Sequence, residues 1–281
     1  MLSALLASGA FCAEAVSMRY IDTHTHFDFP DFATDRASVL ADCARTGVER
    51  LVVVGVSAGH WPRLWNLVKS DARLFAAFGL HPMFLADHQP ADIQQLHDWL
   101  AAHHRHPQCC AVGEIGLDYF LPELDRDHQQ SLFEQQLALA LDFDLPALLH
   151  VRRAHAATIA TLKRYRLPSG GIVHAFAGSL EEAREYHKLG FKLGLGGAVT
   201  WPQAKRLQRV VAQLPAESLV LETDAPDMAP AFAAKQRNSP EHLPRIAALI
   251  AELRNETPQQ LAEQCWYNSC ELFNWPATTV P

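Results

Sequence analysis

Short apolar runs alternate with amphipathic stretches along most of this chain. The runs predict eight strands, at 19–23, 50–56, 73–80, 109–115, 145–150, 171–176, 191–196 and 218–224. Most of the runs are continuously apolar and do not alternate with polar residues. This pattern is typical of parallel strands whose two faces are both covered.

Helical patterns occupy the stretches between these runs. Ser179 with Glu182 three residues later forms a capping-box pattern, and Gly190 predicts the end of that helix. Thr257 opens a last helix in the same way. The segment 125–143 is predicted to place five apolar residues on one helical face: Leu132, Phe133, Leu137, Ala140 and Leu141.

Eight strands with intervening helices and no long linker predict one α/β domain, a single (β/α)8 TIM-type barrel over 18–281. A doubly wound open sheet is the alternative. No phosphate-binding G-x-G-x-x-G sequence opens the first helix, which disfavours that alternative. In a barrel of this kind, catalytic groups lie at the C-terminal ends of the strands.

Composition narrows the class of protein. The chain has 281 residues and a formal net charge of −7, which argues against a generally basic nucleic-acid binder. Its six cysteines form no C-x-x-C pair, as expected for reduced thiols in a cytoplasmic enzyme. Residues 1–17 are apolar but contain no Lys or Arg, so we interpret them as a mis-assigned start or a disordered leader in preference to an export signal. No apolar run has the length of a membrane span.

Ionisable side chains collect where the predicted strands end. In "IDTHTHFDF", His24 and His26 are two residues apart, so a strand directs both imidazoles to one face. Five more such residues close or interrupt later runs: His81, Glu114, His150, His174 and Asp224. A lone polar group at such a position carries a desolvation cost unless it is paired or coordinated.

Imidazoles and carboxylates without thiolates suit Mg, Mn, Zn, Co or Fe and argue against a closed structural zinc site. This many ligands predicts two divalent metal ions, with Glu114 bridging them. Taken singly, each residue also has an ordinary structural explanation. A strand-end histidine can be a satisfied core residue, Glu114 a barrel salt bridge, and Asp224 a helix N-cap.

The segments "DTHTHFD", "GLHP", "VGEIGLDY", "LPALLHVRRAH", "GIVHAFAGS" and "ETDAP" resemble, in order, the motifs of the TatD family of metal-dependent deoxyribonucleases, and most closely its YjjV-like branch. The resemblance extends from about residue 19 to 275 and places the chain among the amidohydrolase-like hydrolases. It implies one ion held by His24, His26 and Asp224, with Glu114 shared. It implies a second ion held by Glu114 together with His150 and His174. Asp224 stands where the acid that orients or deprotonates the nucleophilic water is expected, so Asp224 and Glu114 are the predicted catalytic residues.

The leading hypothesis is therefore hydrolysis of DNA phosphodiester bonds, removing nucleotides from a 3′ end. Arg152, two residues after His150, is a candidate phosphate ligand, with a loop salt bridge as its alternative role. His81 and His155 are further candidates for substrate contact, and Tyr119, beside Phe120, could stack a base. We expect a monomer that binds a single strand or a 3′ end. The second hypothesis is hydrolysis of an ester or amide, for example in an aminoacyl-tRNA. The third is a non-catalytic scaffold.

Overall fold

The computed structural model describes residues 18–277. Its eight strands are β1 Tyr20–Thr25, β2 Val48–Val54, β3 Leu74–Phe78, β4 Cys109–Asp118, β5 Ala147–Arg152, β6 Gly171–Val173, β7 Phe191–Leu195 and β8 Leu219–Leu221. All eight predicted strands are confirmed. Five of them, β2, β3, β6, β7 and β8, end one to three residues earlier than predicted, whereas β1, β4 and β5 continue two or three residues further. The leader predicted at 1–17 lies outside the described residues.

The strands form one sheet in which each strand pairs in parallel with the next in chain order. The sheet closes where the segment after β8 meets β1. The Asp224 amide donates to the carbonyl oxygen of His24 at 2.9 Å, and the His26 amide donates to that of Ala225 at 2.7 Å. The (β/α)8 barrel is confirmed, and the open-sheet alternative is wrong because an open sheet leaves these two edges unpaired.

The helices of the described region are α1 Arg36–Thr46, α2 Trp61–Val68, α3 Asp92–His103, α4 Arg126–Asp142, α5 His155–Tyr165, α6 Leu180–Lys188, α7 Lys205–Val211, α8 Leu243–Arg254 and α9 Pro258–Leu272. Capping boxes open α6 at Ser179 and α9 at Thr257, as predicted. On α4, four of the five predicted core residues are buried, but Leu141 is 44% exposed, so its assignment to the core face is wrong. No helix within residues 18–277 combines the length and hydropathy required to cross a bilayer.

Strand alternation places the polar residues directly above an apolar layer. A buried cluster, separate from the main core, takes residues from several strands, among them Leu148, Ile172 and Val220. Two residues further along the same three strand segments stand His150, His174 and Glu222. Residues i and i+2 share one face of a strand, so the apolar layer lies under the polar groups. The bulk of the core lies elsewhere, in the larger cluster of strand and helix residues.

Candidate metal centre

Glu114, at the middle of β4, is the centre of the polar cluster, and its two carboxylate oxygens face different partners. Oε2 lies 3.2 Å from Nε2 of His24 and 3.7 Å from Nε2 of His26. Asp224 completes this side, with Oδ1 at 3.6 Å from His24 Nε2 and 3.5 Å from His26 Nε2. The structure thus brings together the four residues expected around the first ion.

The other oxygen of Glu114 faces three histidines. Oε1 lies 3.1 Å from His81 Nε2, 3.1 Å from His150 Nδ1 and 3.5 Å from His174 Nε2. His150 and His174 are the residues expected around a second ion. His81, assigned from the sequence to substrate contact, lies within the same cluster.

The cluster leaves several buried polar atoms without a protein partner. Among the described residues, His24 Nε2, Glu114 Oε2 and Asp224 Oδ1 are buried and accept or donate no hydrogen bond. Such atoms are costly to bury unless something else satisfies them. Three overlapping groups bring their ligand atoms within 4.8 Å of one another: His24, His174 and Asp224; His24, His26 and Glu114; and His81, Glu114 and His150. This donor set fits divalent cations.

Protons balance the carboxylates when no cation does. Burial lowers the pKa of His174, but the carboxylates of Asp224, Glu114 and Glu222 outweigh burial and raise its pKa to about 10. Burial likewise opposes ionisation of Glu114, yet the surrounding imidazoles, led by His81, hold the pKa of Glu114 well below its usual range. Cation binding therefore has to displace protons from this cluster.

Two carboxylates support the cluster from outside, and the sequence reasoning missed both. Glu222 accepts hydrogen bonds at Oε1 from His174 Nδ1 at 3.2 Å and from the Ala175 amide at 2.6 Å. Asp118 Oδ2 lies 2.9 Å from Nε2 of His150. Outer partners of this kind orient the imidazole and set its tautomer. Their spacing was a usable signal, because Glu222 precedes Asp224 by two residues and Asp118 follows Glu114 by four.

The cluster forms the floor of an open cleft of about 720 Å³. Exposed apolar side chains gather around it, including Met83, Phe84 and Met228, which also line the cleft. Sites of about 300–1,000 Å³ accommodate small ligands or parts of larger ones. The cleft is therefore large enough to hold more than the reacting group of a substrate.

The candidate substrate contacts divide into two groups. Arg152 and His155 line the cleft. The Arg152 guanidinium lies 3.9 Å from Asp118 and 3.7 Å from the ring centroid of Phe120, so the expected strand continuation and the salt bridge are both present. Tyr119 is half-buried against the core beneath the Arg126 guanidinium and does not line the cleft.

Comparison with known proteins agrees with this arrangement. Residues 21–274 match the model of the TatD-related DNase family. The metal-dependent hydrolase YjjV of Escherichia coli is 42% identical over 258 residues, covering 92% of this chain and 99% of that protein. The 3′–5′ ssDNA/RNA exonuclease TatD of Klebsiella pneumoniae is 32% identical over 249 residues, covering 86% and 93%. The crystal structure of Escherichia coli YjjV superposes with a TM-score of 0.89 over 92% of this chain and 99% of that one. The chain therefore belongs to the TatD-related DNase family of metal-dependent hydrolases.

Proposed function

We propose that this hydrolase cleaves phosphodiester bonds of single-stranded DNA, removing nucleotides from the 3′ end, with two divalent ions bound at the Glu114 cluster. The observation that carries the proposal is the joint placement of that cluster and cationic side chains in one open cleft. Arg152 at its wall can pair with a phosphate. The Klebsiella pneumoniae relative, named as a 3′–5′ ssDNA/RNA exonuclease, supports this choice of substrate.

The residues divide into two ligand sets joined by Glu114. His24, His26 and Asp224 would hold one ion and His150 with His174 the other. Divalent ions held there lower the pKa of a bound water and offset negative charge on a phosphoryl oxygen.

Asp224 and Glu114 are the catalytic residues of this proposal. Asp224 is buried at the barrel mouth, and its Oδ1 has no hydrogen-bond partner among the described residues. Burial raises the pKa of Asp224, but the neighbouring imidazoles, led by His174, outweigh burial and lower the pKa, so the carboxylate stays ionised. It accepts a proton from the water that attacks phosphorus, while the bond from phosphorus to the 3′ oxygen of the preceding nucleotide breaks and the released 3′ oxygen takes a proton from the solvent. Glu114 holds the two ligand sets in register, since each of its oxygens faces one set.

His81 and His155 complete the proposed binding residues. His81 Nε2 contacts Glu114, and burial lowers the pKa of His81 to about 4, so at neutral pH it is an uncharged imidazole beside the reaction centre. His155 Nδ1 lies 3.1 Å from the Tyr186 hydroxyl, which fixes the ring at the cleft wall. For base stacking, the exposed Phe120 is better placed than Tyr119. Monomeric state and cytoplasmic location stay predictions.

The test combines metal analysis with strand-end labelling. Purified protein is depleted with a chelator, reloaded with Mg²⁺, Mn²⁺, Zn²⁺, Co²⁺ or Fe²⁺ separately, and assayed on single- and double-stranded DNA labelled at the 5′ end. We expect about two ions per chain and a ladder that shortens from the 3′ end of the single strand. A 3′-terminal phosphorothioate linkage should block the ladder.

Two variants test whether the measured activity belongs to this protein and not to a contaminating nuclease. Asp224→Asn and Glu114→Gln should remove activity while the thermal unfolding midpoint stays close to that of the parent protein. Unchanged activity in either variant would contradict the catalytic assignment. Turnover of an ester panel without turnover of DNA would favour the ester or amide alternative.

A further inference from the structure

Two arginines of the cleft wall have no assigned role. Arg153 follows β5, and Arg206 is the second residue of α7, so the two come from different parts of the barrel rim. Both are exposed, and both line the cleft that contains the Glu114 cluster.

Neither arginine is neutralised by the protein. Within residues 18–277, neither Arg153 nor Arg206 makes a salt bridge or a side-chain hydrogen bond. By contrast, Arg152 has Asp118 within 3.9 Å. A guanidinium presents five hydrogen-bond donors, and its fork matches two oxygens of a phosphate. In a protein with a net charge of −7, two unpaired guanidiniums at one cleft are an anion-attracting feature.

The surroundings of Arg206 show which part of the cleft it reaches. Its charge acts on His155: burial is the main cause that lowers the pKa of His155, Glu182 opposes it, and Arg206 lowers it further. Among the described residues Glu182 makes no salt bridge with Arg206, and its Oε2 accepts the Ser179 amide hydrogen in the capping box at 2.7 Å. Asp227 also lines the cleft, as the other acid outside the metal cluster.

Arg153 lies against an exposed aromatic ring. The Arg153 guanidinium lies 4.7 Å from the ring centroid of Phe120, and the Arg152 guanidinium lies 3.7 Å from the same centroid. Phe120 is 40% exposed. Cations and an exposed ring side by side are the elements that bind single-stranded nucleic acid, since backbone phosphates pair with the cations and bases stack on the ring.

We propose that Arg153 and Arg206 provide phosphate-binding positions on the cleft wall, together called the second subsite, for backbone phosphates other than the one being cleaved. This inference rests on the proposed function and assigns residues that position its substrate: an oligonucleotide contacts both the Glu114 cluster and the second subsite, whereas a small diester with one phosphate contacts only the cluster. The phosphate being cleaved lies at the Glu114 cluster, other backbone phosphates lie at Arg153 and Arg206, and a base can stack on Phe120 beside Arg153.

The test compares two substrates across matched variants. Arg153→Gln and Arg206→Gln remove one cation each, and Arg209→Gln is the control, because Arg209 lies on the same helix but does not line the cleft. The substrates are a single-stranded ten-nucleotide oligothymidylate and bis(p-nitrophenyl) phosphate, whose only phosphate must occupy the reaction centre. Holoenzyme is used throughout.

Loss of a charge-assisted hydrogen bond should lower kcat/KM for the oligonucleotide at least about tenfold, mainly through KM. The loss should be several-fold smaller for bis(p-nitrophenyl) phosphate. Arg206→Lys should recover most of the oligonucleotide activity, and Arg209→Gln should match the parent enzyme. If Arg153→Gln and Arg206→Gln behave like Arg209→Gln on the oligonucleotide, the subsite is wrong and the proposed function is unaffected.

A binding measurement distinguishes failure of the subsite from failure of the proposed function. The holoenzyme is titrated against a fluorescent oligothymidylate with phosphorothioate linkages, and anisotropy is measured. Weaker binding by Arg206→Gln than by Arg209→Gln, in a protein that does not hydrolyse DNA, would support the subsite and refute the nuclease. Equal binding by both variants would overturn the subsite in either case.

Discussion

Replacing Glu222 by Gln should weaken the binding of one of the two proposed ions and leave the other in place. Glu222 contacts no residue of the His24 and His26 ligand set through a hydrogen bond in the described region. Its Oε1 accepts from His174 Nδ1 at 3.2 Å and from the Ala175 amide at 2.6 Å. The substitution should therefore act on the ion that His174 is proposed to hold.

The size of the effect follows from these contacts. A glutamine oxygen can keep both hydrogen bonds, so the change removes negative charge and puts an amide nitrogen where Glu222 Oε2 has no partner. Altering an outer carboxylate of a metal-bound histidine costs about 10–100-fold in metal affinity, or roughly 1.4–2.7 kcal/mol. The unsatisfied buried amide should lower the free energy of unfolding by about 1–3 kcal/mol.

The assay is a titration of metal-depleted protein with Zn²⁺ against a fluorescent chelator, with metal content measured by elemental analysis. Two binding steps are expected for the parent protein and for Glu217→Gln, an exposed control in the turn before β8. In Glu222→Gln, one step should move to higher Zn²⁺ concentration. Unchanged affinity in both steps would refute the support role, and equal weakening of both would show that the effect acts through global destabilisation.

Three further outcomes test the fold and the surface. Gly116→Ala should lower the thermal midpoint by several degrees and reduce metal content, because a Cβ there would lie 2.1 Å from the His150 carbonyl oxygen and φ is +140°, a conformation costing of order 1–3 kcal/mol. Gly59→Ala is the control: its Cβ would meet nothing within 4 Å, so neither quantity should change. A Gly116→Ala protein with unchanged stability and metal content would contradict the packing. In Cys12→Ser protein, a disulfide reagent at pH 8 should label no thiol until the protein unfolds, since the five cysteines of the described region are buried and burial raises the pKa of each; labelling of the native protein would disprove this. Activity on DNA should fall only mildly with salt, with a log–log slope between about −1.4 and −2.1 for two or three neutralised phosphates of a single strand, and a slope steeper than about −4 would refute end-directed binding.

The positions of the strand ends could be predicted from the sequence because each strand of a parallel barrel appears as a separate apolar run. Each strand is buried on both faces and reads as an apolar run, so a polar residue at its end stands out. His24, Glu114 and Asp224 were identifiable because each interrupts or closes such a run, although β4 continues four residues beyond Glu114. Closure of the barrel then brings the three residues together.

Other features depended on register and on where helices pack. His81 could be placed at a strand end, but only the neighbouring strands decide that it contacts Glu114 at 3.1 Å. Tyr119 and Phe120 are adjacent aromatic residues that the sequence does not distinguish as stacking partners, and which of them is exposed is decided by the loop after β4.

The position of Arg206 in the cleft could not be predicted from the sequence. One arginine in a short basic helix resembles any solvated residue, and no spacing links it to a cleft built from other strands. Its position depends on how α7 lies against the barrel, which the whole core determines. The sequence by itself thus determined the fold and the ligand types, because strand burial and strand-end chemistry are local patterns. The tertiary structure decided the distances, the outer carboxylates and the cationic wall, because these arise between residues far apart in the chain.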